Sequence, residues 1–166
     1  VVAGGQENMS RAPHSLFYRE DKKLSENKLI DTMINDGLID SFNNYHMGVT
    51  AENIAAKYKI SRDEQDIFAL NSQEKTQKAI NENKFQNELI RLQINIDQKK
   101  FTFEKDEHPR SNLSLEDLKK LKTVFKENGT VTAGNSSGIN DGAAAIILMS
   151  REEAAHRSLE PLVKIV

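Results

Sequence analysis

The stretch Tyr45-His46-Met47-Gly48-Val49-Thr50-Ala51-Glu52-Asn53 sets an imidazole beside a thioether and a glycine, just ahead of a helix-like sequence. Near neutral pH an imidazole can donate or accept a hydrogen bond or exchange a proton. It can equally be an ordinary polar loop residue, and spacing leaves both possibilities open. Met47 and Phe125 would line an apolar slot or simply fill the core, the usual place for such residues. A second candidate is the run from Gly129 to Gly142, which holds four of the chain's eight glycines. Glycine lets a backbone come close to a ligand because it has no Cβ. Ser136 and Ser137 would add hydroxyls. The competing reading is a tight turn between strands. The run lacks the Gly-Lys-Ser/Thr ending of a phosphate loop, and it does not match the dinucleotide fingerprint.

Other chemistry is excluded or disfavoured. The chain has no cysteine, so a disulfide, a thiolate metal site and a cysteine nucleophile are impossible within it. The four histidines, His14, His46, His108 and His156, show no metal-ligand spacing on one helix face, so no metal site is expected. His108, before Pro109, and His156 read as solvated. Residues 53–73 look like two helices joined by a short turn, as in a DNA reader. However, the second helix opens with Asp63, Glu64 and Asp66, which would repel phosphate, so no nucleic-acid partner is expected.

Elements that would hold these residues can be read from periodicity. Val1 to Gly5 reads as a buried strand ending in a Gly-Gly turn, and Leu29 to Ile34 as a short helix ended by Gly37. Thr50 is a suitable N-cap for a helix through Lys57. Ser61 and Glu64 have the form of a capping box, opening a long amphipathic helix over 62–83. Ile90, Leu92, Ile94 and Ile96 alternate with polar residues, as in a strand with one wet face. Phe101 and Phe103 repeat the pattern after a polar turn at 97–100, which predicts a hairpin. A helix from Ser114 would carry Leu115, Leu118, Leu121 and Phe125 on one stripe and stop at Asn128-Gly129. Ala143 to Met149 reads as a buried strand, Ser150 as the cap of a short helix broken by Pro161, and Leu162 to Val166 as a last strand. The whole is an α/β pattern, a core sheet interrupted by a long mixed insert.

Bulk properties agree. The chain has 166 residues, 37% hydrophobic and 29% charged, with a formal net charge of −2. That is a globular balance with no broad basic surface. No apolar run approaches the roughly 20 residues of a membrane helix. No signal peptide is visible, and together with the absence of cysteine this makes the cytoplasm the expected location. Val1 lies inside an apolar run, so the chain reads as beginning within a larger protein.

Four blocks, VVAGGQENMSRAPH, DTMINDGLIDSFNNYHMGVTAENIA, SRDEQDIFALNSQ and NGTVTAGNSSGINDGAAAIILMS, resemble consecutive blocks of the thiolases in the same order. The resemblance covers the whole chain and is nearest to the short-chain, acetoacetyl-CoA-cleaving branch. It implies an α/β thiolase-like fold fragment, part of a mixed sheet with an inserted α+β loop domain. Residues 1–8 would be a strand of the first half, 9–139 the CoA-binding insert, 140–158 the last strand and helix of that half, and 159–166 the first strand of the second half.

The reaction implied is a Claisen condensation of two acetyl-CoA to acetoacetyl-CoA plus CoA, or the reverse thiolysis. The family's nucleophilic cysteine lies upstream of VVAGG, and its Asn-Glu-Ala-Phe, Gly-His-Pro and second-cysteine motifs lie downstream. No catalytic residue is therefore assigned here, and the isolated chain is expected to be inactive. The CoA thioester is substrate, and no separate cofactor is implied.

What the resemblance assigns is binding. His46 and Met47 match the short-chain acyl and pantetheine pocket, Leu38 an apolar CoA contact, and Arg110 a nucleotide contact suited to phosphate and adenine. Leu121 and Phe125 fall on the face that packs adenine and pantetheine. Ala133, Gly134 and Ser137 match the loop whose small residues admit the pantetheine arm, so the coenzyme is expected in the groove between the 114–127 helix and the 132–138 turn. Replacing His46 should then cost binding more than stability. Residues 13–30 match the region that joins dimers into tetramers, so a homo-oligomer is expected. The alternatives are an inactive CoA-binding or assembly remnant of a truncated thiolase, and a long-chain 3-ketoacyl-CoA thiolase, which His46 disfavours.

Overall fold

The computed structural model describes residues 1–16 and 29–166. The charged run 19–28, with most of the segment expected to join dimers, lies outside the described residues. The chain divides into two compact units, Val1–Asn35 with Ile139–Val166, and Asp36–Gly138.

In the first unit, β1 (Val2–Glu7) pairs antiparallel with β8 (Gly142–Ile147), Val2 opposite Ile147 and Glu7 opposite Gly142. Gly4 and Gly5 therefore lie inside a strand, not in the expected turn. The reason at Gly4 is close approach, since a Cβ there would stand 2.5 Å from the Ala144 carbonyl oxygen. Both strands are exposed rather than buried, because each has only the other as neighbour among the described residues.

A 3-10 turn (Met9–Arg11) leads to β2 (His14–Ser15), which pairs with β3 (Ile30–Asp31). The short helix expected over 29–34 is replaced by β3 and a π-helical turn, Met33–Leu38. Asp31 sets that start, its carboxylate accepting from the backbone N–H groups of Met33 and Ile34 at 2.9 and 3.4 Å. Gly37 lies within the turn rather than after it.

Helix α4 (Arg151–His156) begins at the Ser150 cap as expected. It stops well before Pro161, and the chain passes through a left-handed residue, Ser158 at φ 54°. Leu162 to Val166, expected as a last strand, form no strand and are exposed.

In the second unit, the two-residue ladder of β4 (Ile39–Asp40) and β5 (Tyr45–His46) runs straight into α1 (Met47–Tyr58). Thr50 is not the cap, for the helix has already begun three residues earlier with His46 at the N-cap. Helix α1 ends at Lys59, in the left-handed region at φ 55°. Ser61 and Glu64 form the expected capping box of α2 (Arg62–Asn81). Glu64 accepts from the Ser61 N–H at 2.7 Å, and the Ser61 hydroxyl accepts from the Glu64 N–H at 3.2 Å.

The hairpin of β6 (Leu92–Ile96) and β7 (Lys99–Phe103) is present, with Leu92 opposite Phe103 and Ile94 opposite Phe101. Its turn is shorter than expected. Asp97 and Gln98 alone make it, both left-handed at φ 48° and 65°, the backbone that suits a two-residue hairpin loop. Residues of both faces, the apolar one included, are exposed.

Helix α3 (Leu115–Lys119) is far shorter than the predicted stripe. Leu121 and Phe125 lie beyond it, in a segment that turns to pair Thr123 with Thr132. No helix among the described residues is long and apolar enough to cross a membrane.

Buried side chains in this unit are Ala55, Leu118 and Val131, alongside Glu52, Asp66 and Thr132. With so little buried apolar surface, Leu118 at 1% exposure carries much of it. Leu118→Ala should cost about 2–5 kcal/mol by urea denaturation, and Leu118→Met less than about 1.5 kcal/mol.

A carboxylate-braced aromatic cluster at the start of α1

His46 is placed by the sharp turn before it. The Asp40 carboxylate accepts from the side chain and backbone N–H of Asn43 and from the Phe42 N–H. Those bonds, led by the Asn43 side chain, hold the Asp40 carboxyl below its usual range. Asn44 then takes the left-handed conformation at φ 57°, and Tyr45 and His46 return opposite Asp40 and Ile39.

At the first turn of α1, the His46 Nδ1 accepts from the Gly48 N–H at 2.9 Å. The imidazole thus satisfies one of the orphan donors that every helix start leaves. His46 stacks on Phe125, with ring centroids 4.6 Å apart and 26° between planes. A Cβ on Gly48 would stand 2.3 Å from the Phe125 ring. Glycine at 48 is therefore required by the ring lying over it, not by any turn. Met47, beside them, is exposed.

Phe125 depends on the segment after it, which is held by Glu52 of α1. The buried Glu52 carboxylate accepts from the N–H groups of Thr130 and Val131, at 2.8–2.9 Å and 2.8 Å, and from the Thr130 hydroxyl at 3.0 Å. Burial works against its charge, but those donors, with Lys126 nearby, outweigh it and hold the carboxyl below its ordinary value. Gly129 leaves room for this, since a Cβ there would lie 2.3 Å from Glu52 Oε1. Val124 N–H then donates to the Val131 carbonyl at 3.1 Å and closes the loop that carries Phe125.

A second carboxylate holds the glycine-rich loop. Asp66 of α2, fully buried, is bonded by Arg62 Nε at 2.7 Å and by Asn135 Nδ2 at 3.0 Å. Arg62 also donates to the carbonyls of Leu118 and Leu121, at 2.6 and 3.2 Å, and so caps the end of α3. Asn135 accepts from the Thr132 N–H at 2.8 Å and donates to the Thr130 carbonyl at 3.1 Å.

Leu121 and Gly134 come together here. A Cβ on Gly134 would lie 2.5 Å from methyl carbons of both Leu118 and Leu121. At that point the loop packs directly on the α3 segment, which accounts for this glycine without a ligand. Ala133 and Ser137 are exposed on the same loop. Ser136, not among the candidates, has a buried hydroxyl oxygen without a hydrogen-bond partner among the described residues.

The structure thus groups His46, Met47 and Phe125 at one place and Leu121, Ala133, Gly134 and Ser137 at another, the two joined through residues 122–132. Leu38 sits half-buried just before β4. Arg110 stands elsewhere, in an open cleft along α2 with Leu70, Gln73, Gln77, Lys78 and Leu113. Its N–H donates to Gln73 Oε1 at 2.9 Å.

Reasoning from sequence overlooked Glu52, Arg62, Asp66 and Asn135. Arg62 and Asp66 do show as an oppositely charged pair four apart on a helix, but such pairs are ordinarily surface features. Nothing local marks Glu52, whose partners lie 78 and 79 positions away.

The arrangement matches a known family. The thiolase N-terminal domain model matches residues 1–152, and the chain belongs to the thiolase family. Among its relatives, the acetyl-CoA acetyltransferase of Paracoccus denitrificans is 48% identical over 165 residues, 99% of this chain and 42% of that protein. A probable acetyl-CoA acetyltransferase of Escherichia coli is 46% identical over 166 residues, 99% of this chain and again 42% of the relative. Solved structures agree on the fold. The Bacillus anthracis acetyl-CoA acetyltransferase and human mitochondrial 3-ketoacyl-CoA thiolase each superpose with a TM-score of 0.85 at 41% identity, over 97% of this chain and 41% of theirs. The chain therefore spans about two fifths of the length of these relatives and carries an α/β fragment of the thiolase fold.

Because the Glu52 carboxyl is held below its ordinary value of 4.5, the unfolded chain binds more protons in that window. Stability from Glu52 is complete above about pH 4.5 and is lost as pH falls through the lower folded value. Glu52→Gln should cost about 1–3 kcal/mol near neutral pH. It should also flatten the acid limb of the stability profile, measured by denaturant titration at a series of pH values.

Proposed function

We propose that this chain supplies the CoA-binding part of an acetyl-CoA acetyltransferase, which condenses two acetyl-CoA to acetoacetyl-CoA and CoA and runs the reverse thiolysis. The observation that carries the proposal is the pairing of two features. The His46–Phe125 stack sits at the α1 N-terminus with the glycine-rich loop next in the same braced segment. Relatives named for this activity are 46–48% identical across nearly the whole chain.

In this reading His46, Met47 and Phe125 bound the short acyl group and the end of the pantetheine arm. Ala133 and Ser137 face that arm beside Gly134, which packs on Leu118 and Leu121, with the Ser137 hydroxyl available to its amides. Leu38 and Leu121 supply apolar contact. Arg110 and its cleft face the nucleotide, where a guanidinium suits phosphate. The acyl exchange itself needs a thiolate and a base, and this chain has no cysteine. Its own residues therefore bind and orient. The exposed faces of β1 and β8 would pack against the remaining sheet of a longer protein.

A cytoplasmic homo-oligomer, a dimer or tetramer serving acyl-chain metabolism, is part of the same proposal. The fit to the human 3-ketoacyl-CoA thiolase supports a second reading with longer acyl chains, which His46 disfavours.

The expectation that His46 matters to binding more than to stability changes with the structure. As the α1 cap it has a structural post, and His46→Ala should cost about 0.5–2 kcal/mol. His46→Asn separates the roles, because an asparagine oxygen can keep the cap while the ring is lost. The assay uses a full-length Paracoccus denitrificans relative in which this segment replaces its counterpart, with acetoacetyl-CoA and CoA as substrates. His46→Asn should lower kcat/KM by about tenfold or more, roughly 1.4 kcal/mol, with little change in melting temperature. Unchanged kinetics in this variant would sink the pocket assignment. The isolated chain should show no thiolysis.

A further inference from the structure

We infer that His46 is locked as the tautomer with its proton on Nε2, that Phe125 is the positioning residue for this lock, and that His46 meets its ligand only as a hydrogen-bond donor. A backbone N–H can donate and never accept. The Gly48 N–H lies 2.9 Å from Nδ1, so Nδ1 must carry a lone pair and the proton of the neutral ring must sit on Nε2. Among the described residues no group is hydrogen-bonded to Nε2, which leaves that N–H for a ligand.

The orientation is fixed on two sides. The ring stacks on Phe125 at 4.6 Å, and Phe125 occupies the space that a side chain on Gly48 would need. Turning the ring over would replace Nδ1 with a carbon and leave the Gly48 donor unpaired at the helix start, a loss the half-buried site resists. The 123–132 bridge and the Glu52 carboxylate hold Phe125 in turn. The lock thus depends on residues far from position 46 in sequence.

A donor-only imidazole selects an oxygen acceptor. Under the reading proposed above, on which this step rests, that acceptor is a carbonyl oxygen of the acyl thioester or of the pantetheine amides. Polarisation of such an oxygen by a fixed N–H is the ordinary electrostatic aid to acyl chemistry.

Long-range 1H–15N correlation spectra of the full chain at about pH 8, above the ordinary histidine range near 6.5, test the lock directly. His46→Asn assigns the signals. The exposed His108 and His156 serve as internal references, because free imidazoles average between tautomers. His46 should show a larger separation between its two nitrogens than either reference, with the proton on Nε2. A separation equal to theirs, or a proton on Nδ1, overturns the proposal.

Phe125→Tyr should keep the wild-type pattern, and Phe125→Ala should collapse it toward the references. A pattern unchanged in Phe125→Ala removes Phe125 from its positioning role. Addition of acetyl-CoA should shift the Nε2 resonance and leave the proton there, and transfer of the proton to Nδ1 would overturn the donor assignment. If acetyl-CoA moves no His46 signal while the tautomer pattern holds, the thioester pocket fails and the lock stands.

Discussion

Two carboxylates buried on successive helices organise the larger unit. Glu52 reaches from α1 to Thr130 and Val131 and Asp66 from α2 to Asn135, within one stretch of chain, and each is met by two N–H donors, one of those on Asp66 being Arg62 of its own helix. An ion taken out of water needs its full set of partners, and removing even one is costly. The burial is therefore tolerable only in one arrangement of that stretch. Apolar packing alone would not impose it, because the buried apolar side chains here are only Ala55, Leu118 and Val131. The polar contacts supply the specificity that a larger core would otherwise provide. They explain how a segment with little regular structure can place Phe125 over His46 and Gly134 against Leu121.

Local signals in the sequence were read well where the cause was local. The Ser61–Glu64 box, the Ser114 and Ser150 caps and the 92–103 hairpin all arise from contacts within a few residues, and all are present. The family resemblance and the α/β character were also legible, because four long blocks carried them. Reading failed where a distant partner decided the outcome. The stripe from Leu115 to Phe125 has helical spacing, yet Arg62 takes the carbonyls of Leu118 and Leu121, and Val131 takes the amide of Val124. The helix ends at Lys119 as a result. Thr50 looked like a cap because threonine often is one, but an imidazole four residues before it had already done that work.

The glycines show the same division. Gly129 and Gly134 belong to a run that reads in the sequence either as a close approach to a ligand or as a tight turn, yet each answers to a particular neighbour. Gly129 makes way for a carboxylate oxygen of Glu52, and Gly134 for two leucine side chains. Small residues in that run serve the packing of the protein against itself at these two points. Ala133 and Ser137, exposed on the same loop, are the positions left to face a ligand. The candidate site is thus narrower than its glycine content suggested.

Phe125 seated above Gly48 has an implication for how this chain could change. The two positions behave as a single compound trait, because bulk gained at one must be surrendered at the other. A methyl group at 48 would become permissible only on a background where the phenyl has already shrunk, and that background would also have given up the imidazole's companion. Growth at position 48 alone is blocked, and the path that remains open trades away the aromatic pair before it returns anything.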